Sequence, residues 1–365
     1  MAKKANKELN IDTDSTIQNS LLKKFSDVLI SSDAIINSTK HSVIPISPSL
    51  NIGLSGGICS GTSSVFAGPP KVGKTTAALT LCKNAQKQGR RCFFISVESR
   101  LSKRDLQGIK DLDLSDEMFN IVTNTDKKIL EGEQFLEITY ELVKTFPGCV
   151  IVIDSISALA SSSELTEDIA KQSYGGLAKT IKKFTKIISG IISVNDVTIV
   201  YISHTYQNMA TGSAVISGGL GQRFFSDCII KAKYASPIKA SEKIIGQNIV
   251  WAIDNSPIGS SKFVTPPESI LRFGVGLCRH TEILLLAGDA GIIAKGGGGW
   301  YTMPDGSKHQ GTEAAYQYLI GQPKLTNELE YEVYKTYNPE VLNHYNPLDS
   351  TEEIQEEDQN VEVPA

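Results

Sequence analysis

The 365-residue sequence lacks the features of a secreted, disulfide-bonded or membrane-spanning protein. Its six cysteines form no C-x-x-C pair and no metal-ligand spacing, which predicts free thiols buried in a reducing compartment. The N-terminus is polar and rich in lysine, without the apolar core of a signal peptide. The longest apolar segment, residues 283–294, is interrupted by Asp289 and is too short to cross a bilayer. We therefore expect a cytoplasmic protein with no membrane partner.

No internal repeat is visible, and neither charge sign dominates the chain. Hydrophobic residues make up 41% of the sequence and charged residues 21%, as in ordinary globular proteins, and the length allows one large core with smaller appendages. The net charge of −4 hides an asymmetry, because residues 349–365 carry seven acids and no base. A mildly acidic total does not exclude nucleic acid as a partner, since local patches set the field at a binding groove.

One stretch matches the phosphate-loop pattern G-x-x-x-x-G-K-[ST] in full. In such a loop glycines let backbone N–H groups point at phosphates, the lysine reaches the β- and γ-phosphates, and the hydroxyl ligates Mg²⁺. A short apolar strand precedes the stretch and a helix follows it, so a plain Gly/Pro turn is the disfavoured alternative. The predicted nucleotide-binding residues are Gly68, Pro69, Pro70, Lys71, Val72, Gly73, Lys74, Thr75 and, opening the helix, Thr76.

Apolar runs alternate with helical patterns along the body of the chain. Residues 64–67, 91–98, 150–154 and 197–204 are predicted strands, and residues 131–146 a helix. The continuous apolar run at 150–154 is typical of a central parallel strand covered on both faces. This rhythm predicts an α/β fold with an open, mostly parallel sheet.

Polar side chains stand where these predicted strands end, at the edge where parallel sheets bind ligands. Glu98 is well placed to polarise a water molecule, and Asp154 to hold the shell of a Mg²⁺ bound by Thr75. With Lys74, these residues would complete a nucleoside-triphosphate hydrolysis site. The alternatives are a surface carboxylate for Glu98 and a helix cap for Asp154.

With these residues in place, the chain resembles the RecA-family recombinases, most closely those of the phage UvsX type, over about residues 42–315. The landmarks include residues 49–57, the strand-end Glu98, Asp154 with Ser155, residues 203–206 and residues 298–301. The resemblance implies a RecA-like P-loop ATPase core with a mostly parallel central sheet flanked by helices. It implies a core at 42–290, an N-terminal helix and linker at 1–41, a C-terminal subdomain at 291–348 and an acidic tail at 349–365.

The resemblance also implies ATP and Mg²⁺ as cofactors and assigns roles to further residues. Glu98 matches the catalytic glutamate, and His204 takes the place of a γ-phosphate sensor, unless it is a strand-end histidine satisfied by backbone. Phe273, before Gly274, matches a position that covers the adenine base, although a core phenylalanine is nearly as plausible. The tail would compete with DNA for basic loops or simply solubilise the protein; these two readings stay open.

Two loops in this family hold DNA, and their positions here are small, polar and flexible. The implied DNA-binding residues are Ser161, Ser162, Ser163, Thr211, Gly212, Ser213, Gly218, Gly219 and Arg223. Glycine N–H groups and an arginine suit phosphate contacts, but ordinary surface loops are the alternative. For Lys182, Lys183 and Lys186, beside an apolar helical stripe, a solvated face is favoured over contact with a second strand.

Two departures from the family pattern concern the nucleotide. Two basic residues of the adjacent subunit normally reach the γ-phosphate, but residues 253–257 carry no Lys or Arg, and Lys262 comes late. Either the alignment slips around Gly259 and Lys262 takes this role, or the subunit interface activates ATP differently. The segment after Glu98 lacks the aromatic that often stacks on the adenine. Fast hydrolysis is therefore less firmly implied than ATP binding.

The expected function is a DNA-dependent ATPase that forms filaments on single-stranded DNA and pairs it with homologous duplex DNA. Its partners would be further copies of itself, possible single-strand-binding and loader proteins, and no membrane, in a host cytoplasm if the source is viral. The apolar stripe at 17–30 would pack on its own domain or on a neighbouring subunit. The rivals are a weakly hydrolysing mediator of the same fold, a ring-forming helicase or clock-type ATPase, and, least favoured, a small-molecule kinase.

Overall fold

The computed structural model describes residues 23–28, 32, 42–160, 176–207, 214–216, 226–240, 242–256 and 267–347. The chain divides into two compact units, residues 1–41 and residues 42–365. In the first unit Lys23 and Lys24 are helical, and residues 25–28 form a turn. Within the apolar stripe at 17–30, which is helically spaced, residues 25–28 therefore form a turn and not a helix.

The second unit is built around strands that alternate with helices in its first half and pair as hairpins in its second. The strands are β1 Val43–Ile44, β2 Ile58–Cys59, β3 Ser63–Gly68, β4 Cys92–Ser96, β5 Phe119–Thr123, β6 Val150–Asp154, β7 Thr198–Gln207, β8 Ala214–Ile216, β9 Cys228–Ala240, β10 Lys243–Asn255, β11 Glu268–Arg272, β12 Gly276–Leu277, β13 Ala294–Gly296, β14 Trp300–Thr302 and β15 Lys308–Gln310.

The helices flank this sheet and form the C-terminal part of the described chain. They are α1 Pro48–Gly53, α2 Lys74–Lys87, α3 Lys103–Gln107, α4 Gly132–Thr145, α5 Gly176–Val194, α6 Arg279–Asp289, α7 Gly311–Ile320 and α8 Pro323–Tyr337. None of the helices in the described ranges is long and apolar enough to span a bilayer.

The central sheet has the order β12-β11-β10-β9-β3-β7-β6-β4-β5, and β8 pairs with β7 at one end. The pairs β9–β3, β3–β7, β7–β6, β6–β4 and β4–β5 are parallel. Strands β9 to β12 extend the sheet as antiparallel hairpins. The predicted α/β class with a mostly parallel sheet flanked by helices is confirmed.

Two apolar clusters cover the two faces of the sheet. On one face α2 packs through Leu79 and Leu81 against Phe66 and Trp251. On the other face α4 and α5 pack through Phe135 and Ile188 against the alternate residues of the same strands. Since β3, β4 and β6 are buried on both faces, their sequences are continuous apolar runs rather than alternating ones.

A third cluster joins the C-terminal helices to the start of the second unit. Ile52 of α1 lies in one buried cluster with Ile283 of α6 and Val333 of α8. Polar contacts reinforce this packing: Asn51 Nδ2 donates to the Tyr334 hydroxyl at 3.0 Å, and Asn338 Nδ2 donates to the Ile52 carbonyl at 2.9 Å. The residues after 290 are therefore packed onto α1 as well as onto each other.

Candidate functional site

The phosphate-loop residues form a tight turn between β3, which ends at Gly68, and α2, which begins at Lys74. Gly73 has φ = 102°, and a Cβ there would lie 2.6 Å from Ile249 Cδ1 and 2.9 Å from Leu271 Cδ1. A side chain at Gly68 would meet the Ala232 carbonyl oxygen at 2.6 Å. Only glycine fits at both positions, so the loop takes the wrapped conformation that a phosphate cradle needs.

Val72 anchors this loop in the core, while Pro69, Pro70 and Lys71 are exposed. Lys74 is the buried cation of the loop and is 5% exposed. Its Nζ donates to the carbonyl oxygens of Gly68, at 3.0 Å, and Pro69, at 2.7 Å. Burial lowers the pKa of Lys74 to about 8, against the opposing charges of Asp154 and Glu98. A phosphate anion beside Nζ would restore the favourable environment that burial removes.

Thr75 and Asp154 form the second polar pair of the site. Thr75 Oγ1 donates to Asp154 Oδ2 at 2.7 Å. Burial, with the nearby Glu98 carboxylate, raises the pKa of Asp154 despite the Thr75 hydrogen bond and the Lys74 charge. A bound cation would therefore stabilise the ionised form of Asp154. The contacting Thr75 hydroxyl and Asp154 carboxylate fit a Mg²⁺ that takes its other ligands from phosphate and water. Bound there by Thr75 and Asp154, Mg²⁺ would neutralise phosphate charge.

Glu98 lies just beyond β4 and is held by three side chains. Its Oε1 accepts from the Ser155 hydroxyl at 2.9 Å and lies 3.2 Å from His204 Nε2, while Oε2 lies 3.2 Å from Arg100 Nη1. Burial opposes ionisation, but the hydrogen bonds from Ser155 and His204 and the charge of Arg100 outweigh it, so the pKa of Glu98 is lowered. The carboxylate is thus held ionised, as a proton acceptor must be.

Strand register brings these side chains to one edge. His204 aligns with Gly68 across the β3–β7 pair, and Asp154 aligns with Ser96 across the β4–β6 pair. His204 therefore connects the first residue of the phosphate loop with Glu98. Its Nδ1 is buried without a partner among the described residues, so this histidine retains one unused polar atom.

Phe273 and Gly274 lie in the turn between β11 and β12. The Phe273 side chain is 56% exposed, and Gly274 has φ = 80°. Leu271, two residues earlier, lies against the loop glycine Gly73. Phe273 is thus not a core residue, which removes that alternative, and its contact with an adenine stays a prediction.

The predicted DNA-binding residues Ser161, Ser162, Ser163, Thr211, Gly212, Ser213, Gly218, Gly219 and Arg223 lie outside the described residues. Lys262 does as well. The lysines of α5 are described: Lys182, Lys183 and Lys186 are exposed, and Ile181 and Ile188 face the core. These lysines thus lie on the exposed face of an amphipathic helix, and their contact with a second strand stays the less favoured prediction.

Three features of the site were missed by sequence reasoning. Ser155 was named only as part of the motif with Asp154, and its hydrogen bond to Glu98 was not predicted. Arg100 was given no role. Lys231 Nζ lies 2.5 Å from Asp254 Oδ2, so an ion pair occupies the segment where the family pattern has cations. The local sequence does not signal these contacts. The Ser155–Glu98 and Lys231–Asp254 contacts join residues from different strands or loops. Arg100 and Glu98 are only two residues apart, but their contact depends on the turn at Ser99.

A buried lysine in a glycine-bounded loop, a hydroxyl–carboxylate pair and a third carboxylate at one sheet edge define a P-loop nucleotide-binding protein. Comparison with known proteins then gives the family. The protein-family model of the RecA N-terminal domain matches residues 23–262 of this sequence, and the chain belongs to the RecA family.

Individual relatives agree. The chain is 30% identical to Protein RecA of Acholeplasma laidlawii over 273 residues, 73% of this chain and 78% of that protein. It is 31% identical to Protein RecA of Phytoplasma mali over 304 residues, 80% and 84% of the two chains. With Protein RecA of Bacteroides thetaiotaomicron the identity is 29% over 307 residues, 81% and 88% of the two chains.

Proposed function

We propose that this RecA-family protein is a DNA-dependent ATPase that forms filaments on single-stranded DNA and promotes pairing and strand exchange with homologous duplex DNA. ATP and Mg²⁺ are its cofactors, and further copies of the chain, with single-strand-binding and loader proteins, its partners. It acts in the cytoplasm, in recombination and repair. The Ser203-His204-Thr205-Tyr206 run supports the phage UvsX type, since the resemblance to that type includes this segment.

The observation that supports hydrolysis most strongly is the position of Glu98. An ionised carboxylate, oriented by Ser155 and His204, lies at the same sheet edge as the phosphate-loop lysine. A water molecule between this carboxylate and a γ-phosphate could lose its proton to Glu98 while its oxygen attacks phosphorus. The bond to the β–γ bridging oxygen breaks, and its electron pair leaves with ADP.

His204 supports a link between nucleotide and DNA. Its Nε2 contacts Glu98, and its strand β7 runs on to Gln207, into the DNA loop predicted near residues 206–219. A γ-phosphate that competes with Glu98 for the His204 N–H would change this contact. ATP would thereby favour one state of the strand end, and hydrolysis would release it.

The experiment that tests this proposal measures ATP hydrolysis with and without single-stranded DNA. Lys74→Ala serves as the blank, since it removes the buried cation of the loop. The matched control is Lys127→Ala, an exposed lysine in the segment after the edge strand β5. We expect DNA to stimulate turnover in the wild type and in Lys127→Ala, with none in Lys74→Ala.

The second candidate is an ATP-gated DNA-binding or mediator protein that hardly hydrolyses ATP. The ion pair between Lys231 and Asp254 favours it, because this pair lies where cations for a neighbouring nucleotide were expected. DNA binding with turnover no higher than that of Lys74→Ala would establish this candidate and refute the ATPase.

A further inference from the structure

Phosphoryl transfer places negative charge on the three oxygens of the transferred group, and a cation supplied there accelerates the reaction about 10³–10⁵-fold. In this chain, the stretch expected to supply such cations from a neighbouring subunit carries Asp254 instead. Its carboxylate is occupied by Lys231. Unless Lys262, which lies outside the described residues, supplies this charge, it must come from another place if the protein hydrolyses ATP efficiently.

Arg100 offers that charge within the same subunit. Its Nη1 lies 3.2 Å from Glu98 Oε2, the oxygen not engaged by Ser155 and His204. The Arg100 side chain is 83% exposed, whereas the Glu98 side chain is 21% exposed. A guanidinium has five N–H donors, so contact with one carboxylate oxygen leaves donors for a second anion.

The backbone holds Arg100 at this edge. Ser99 has φ = 51°, and its N–H donates to the Ser96 carbonyl at 3.2 Å, which turns the chain directly after Glu98. Thr123 of the neighbouring strand donates to the Ser99 hydroxyl at 3.1 Å. On the other side, Ser102 and Asp105 form a capping box that starts α3. Arg100 thus lies on a short segment anchored at both ends, with its side chain still able to rotate.

We propose that Arg100 is a catalytic residue that contacts the γ-phosphate of ATP in the subunit that binds it, and replaces the cations absent from residues 253–257. This inference rests on the proposed ATPase function. As the oxygen of water bonds to the γ-phosphorus, its proton passes to Glu98. The bridging bond breaks toward ADP, and Arg100 neutralises the oxygens of the transferred group without forming a covalent bond.

A purely positioning role predicts different behaviour. If Arg100 only orients Glu98 and keeps it ionised, its loss slows turnover and moves the acidic limb of the pH profile upward. Binding of a γ-phosphate mimic would then be unchanged. Direct contact instead predicts that removal of Arg100 weakens the binding of ligands that carry a third phosphate group or its mimic, and leaves the binding of ADP unchanged.

The test compares Arg100→Ala, Arg100→Lys and the control Arg104→Ala, an exposed arginine on the adjoining helix α3. Three quantities are measured in the full-length protein: DNA-stimulated kcat, the Kd of Mg²⁺–ADP, and the Kd of Mg²⁺–ADP with aluminium fluoride as a mimic of the transferred group. Because Arg100 is exposed, we expect all variants to keep the wild-type Tm.

For Arg100→Ala we expect kcat to fall at least about 100-fold and the affinity for ADP–aluminium fluoride to fall by a similar factor. The affinity of Arg100→Ala for ADP should stay within about twofold of the wild-type value. Arg100→Lys should recover part of the lost kcat and part of the lost affinity for ADP–aluminium fluoride. Arg104→Ala should match the wild type in all three quantities.

An Arg100→Ala kcat within about threefold of wild type overturns the inference. So does a large loss of kcat with unchanged affinity for ADP–aluminium fluoride, which identifies a positioning residue. Wild-type turnover no higher than that of Lys74→Ala would refute the ATPase proposal instead. In that case the two affinities still decide whether Arg100 contacts the third phosphate.

Discussion

Lys74, Asp154 and Glu98 lie in one polar cluster, but their surroundings shift their pKa values in different ways. Burial lowers the pKa of Lys74 to about 8 and raises that of Asp154, so both charged forms are disfavoured in the protein without ligand. Glu98 is favoured as a carboxylate by its partners. The site is thus ready to accept an anion at Lys74, a cation at Asp154 and a proton at Glu98.

At the residue scale we predict that Asp154→Asn stabilises the ligand-free protein while it weakens Mg²⁺-dependent nucleotide binding. The raised pKa means that ionised Asp154 costs folding free energy, and this cost grows as pH rises through the folded-state pKa. Asparagine keeps an oxygen that can accept from Thr75 without the buried charge. We expect a gain of about 1 kcal/mol at pH 7, measured by urea unfolding without nucleotide.

The matched control for this prediction is Asp126→Asn, at an exposed position, which should leave stability unchanged. In the presence of Mg²⁺ and ATP the order should reverse, because the wild type gains ligand stabilisation that Asp154→Asn lacks. If Asp154→Asn unfolds at a lower urea concentration than the wild type without ligand, then the buried charge of Asp154 does not lower the stability of the folded protein.

The residues of the candidate site could be predicted only where a motif or a strand end marks them. Lys74 and Thr75 follow from the loop pattern, and Glu98, Asp154 and His204 follow from their positions at the ends of apolar runs. The structure brings these five together, while their catalytic roles stay predictions. The contact of Arg100 with Glu98 could not be predicted, because it depends on the left-handed turn at Ser99, which no residue pattern marks.

Among the elements, the parallel strands were predictable and the long hairpin was not. Strands β3, β4 and β6 are short apolar runs because both their faces are covered. Strands β9 and β10 are thirteen residues each, and their pairing shifts register at three points. Apolar and polar side chains alternate at residues 230–234, but the register shifts interrupt this period-2 pattern along the rest of the hairpin.

A buried carboxyl group, Glu282 of α6, joins three elements that the sequence shows as separate. Its Oε2 accepts from the Ser49 N–H in the first turn of α1, and its Oε1 accepts from the Ile270 N–H of β11, both at 3.0 Å. Glu282 is 1% exposed. Burial raises its pKa to about 7 despite these hydrogen bonds. One side chain thus satisfies two buried donors that would otherwise lack a partner.

At the element scale we predict that Glu282 makes the protein less stable as pH rises from about 4.5 to 7. Its folded-state pKa lies above the ordinary value of 4.5, so the folded state holds its proton longer than the unfolded state. The contribution across this window should be on the order of 3 kcal/mol. Unfolding free energies measured at half-unit pH steps, with wild type and Glu282→Gln compared, check this.

In Glu282→Gln the decrease of the unfolding free energy with pH that we assign to Glu282 should vanish, because glutamine does not titrate. The variant should also be less stable than the wild type at pH 5 by about 1–3 kcal/mol, since its amide group faces one of the two N–H donors. Glu328→Gln, at an exposed position of α8, is the control that keeps the wild-type slope. An unchanged slope in Glu282→Gln would assign the pH dependence to other groups.

For the molecule as a whole, the C-terminal part is packed against the beginning of the RecA-like core. The buried cluster of Ile52, Ile283 and Val333 spans the predicted boundary after residue 290. Arg279 also pairs with the nearly buried Glu330 at 2.7 Å, which ties α6 to α8. Sequence patterns show each helix but not the surface that it covers, so this packing could not be inferred from periodicity alone.

We predict that a chain of residues 1–290 does not fold, whereas a chain of residues 1–348 keeps the wild-type Tm. Loss of residues 291–348 would expose Ile52, Ile283 and Leu284, which are at most 2% exposed. Each costs about 1.5–3 kcal/mol when returned to water, and the sum approaches the whole stability of a typical domain. Removal of residues 349–365 takes away only the acidic segment. Circular dichroism and calorimetry of both chains check this, and a cooperative transition in the shorter one would instead establish residues 1–290 as an independent domain.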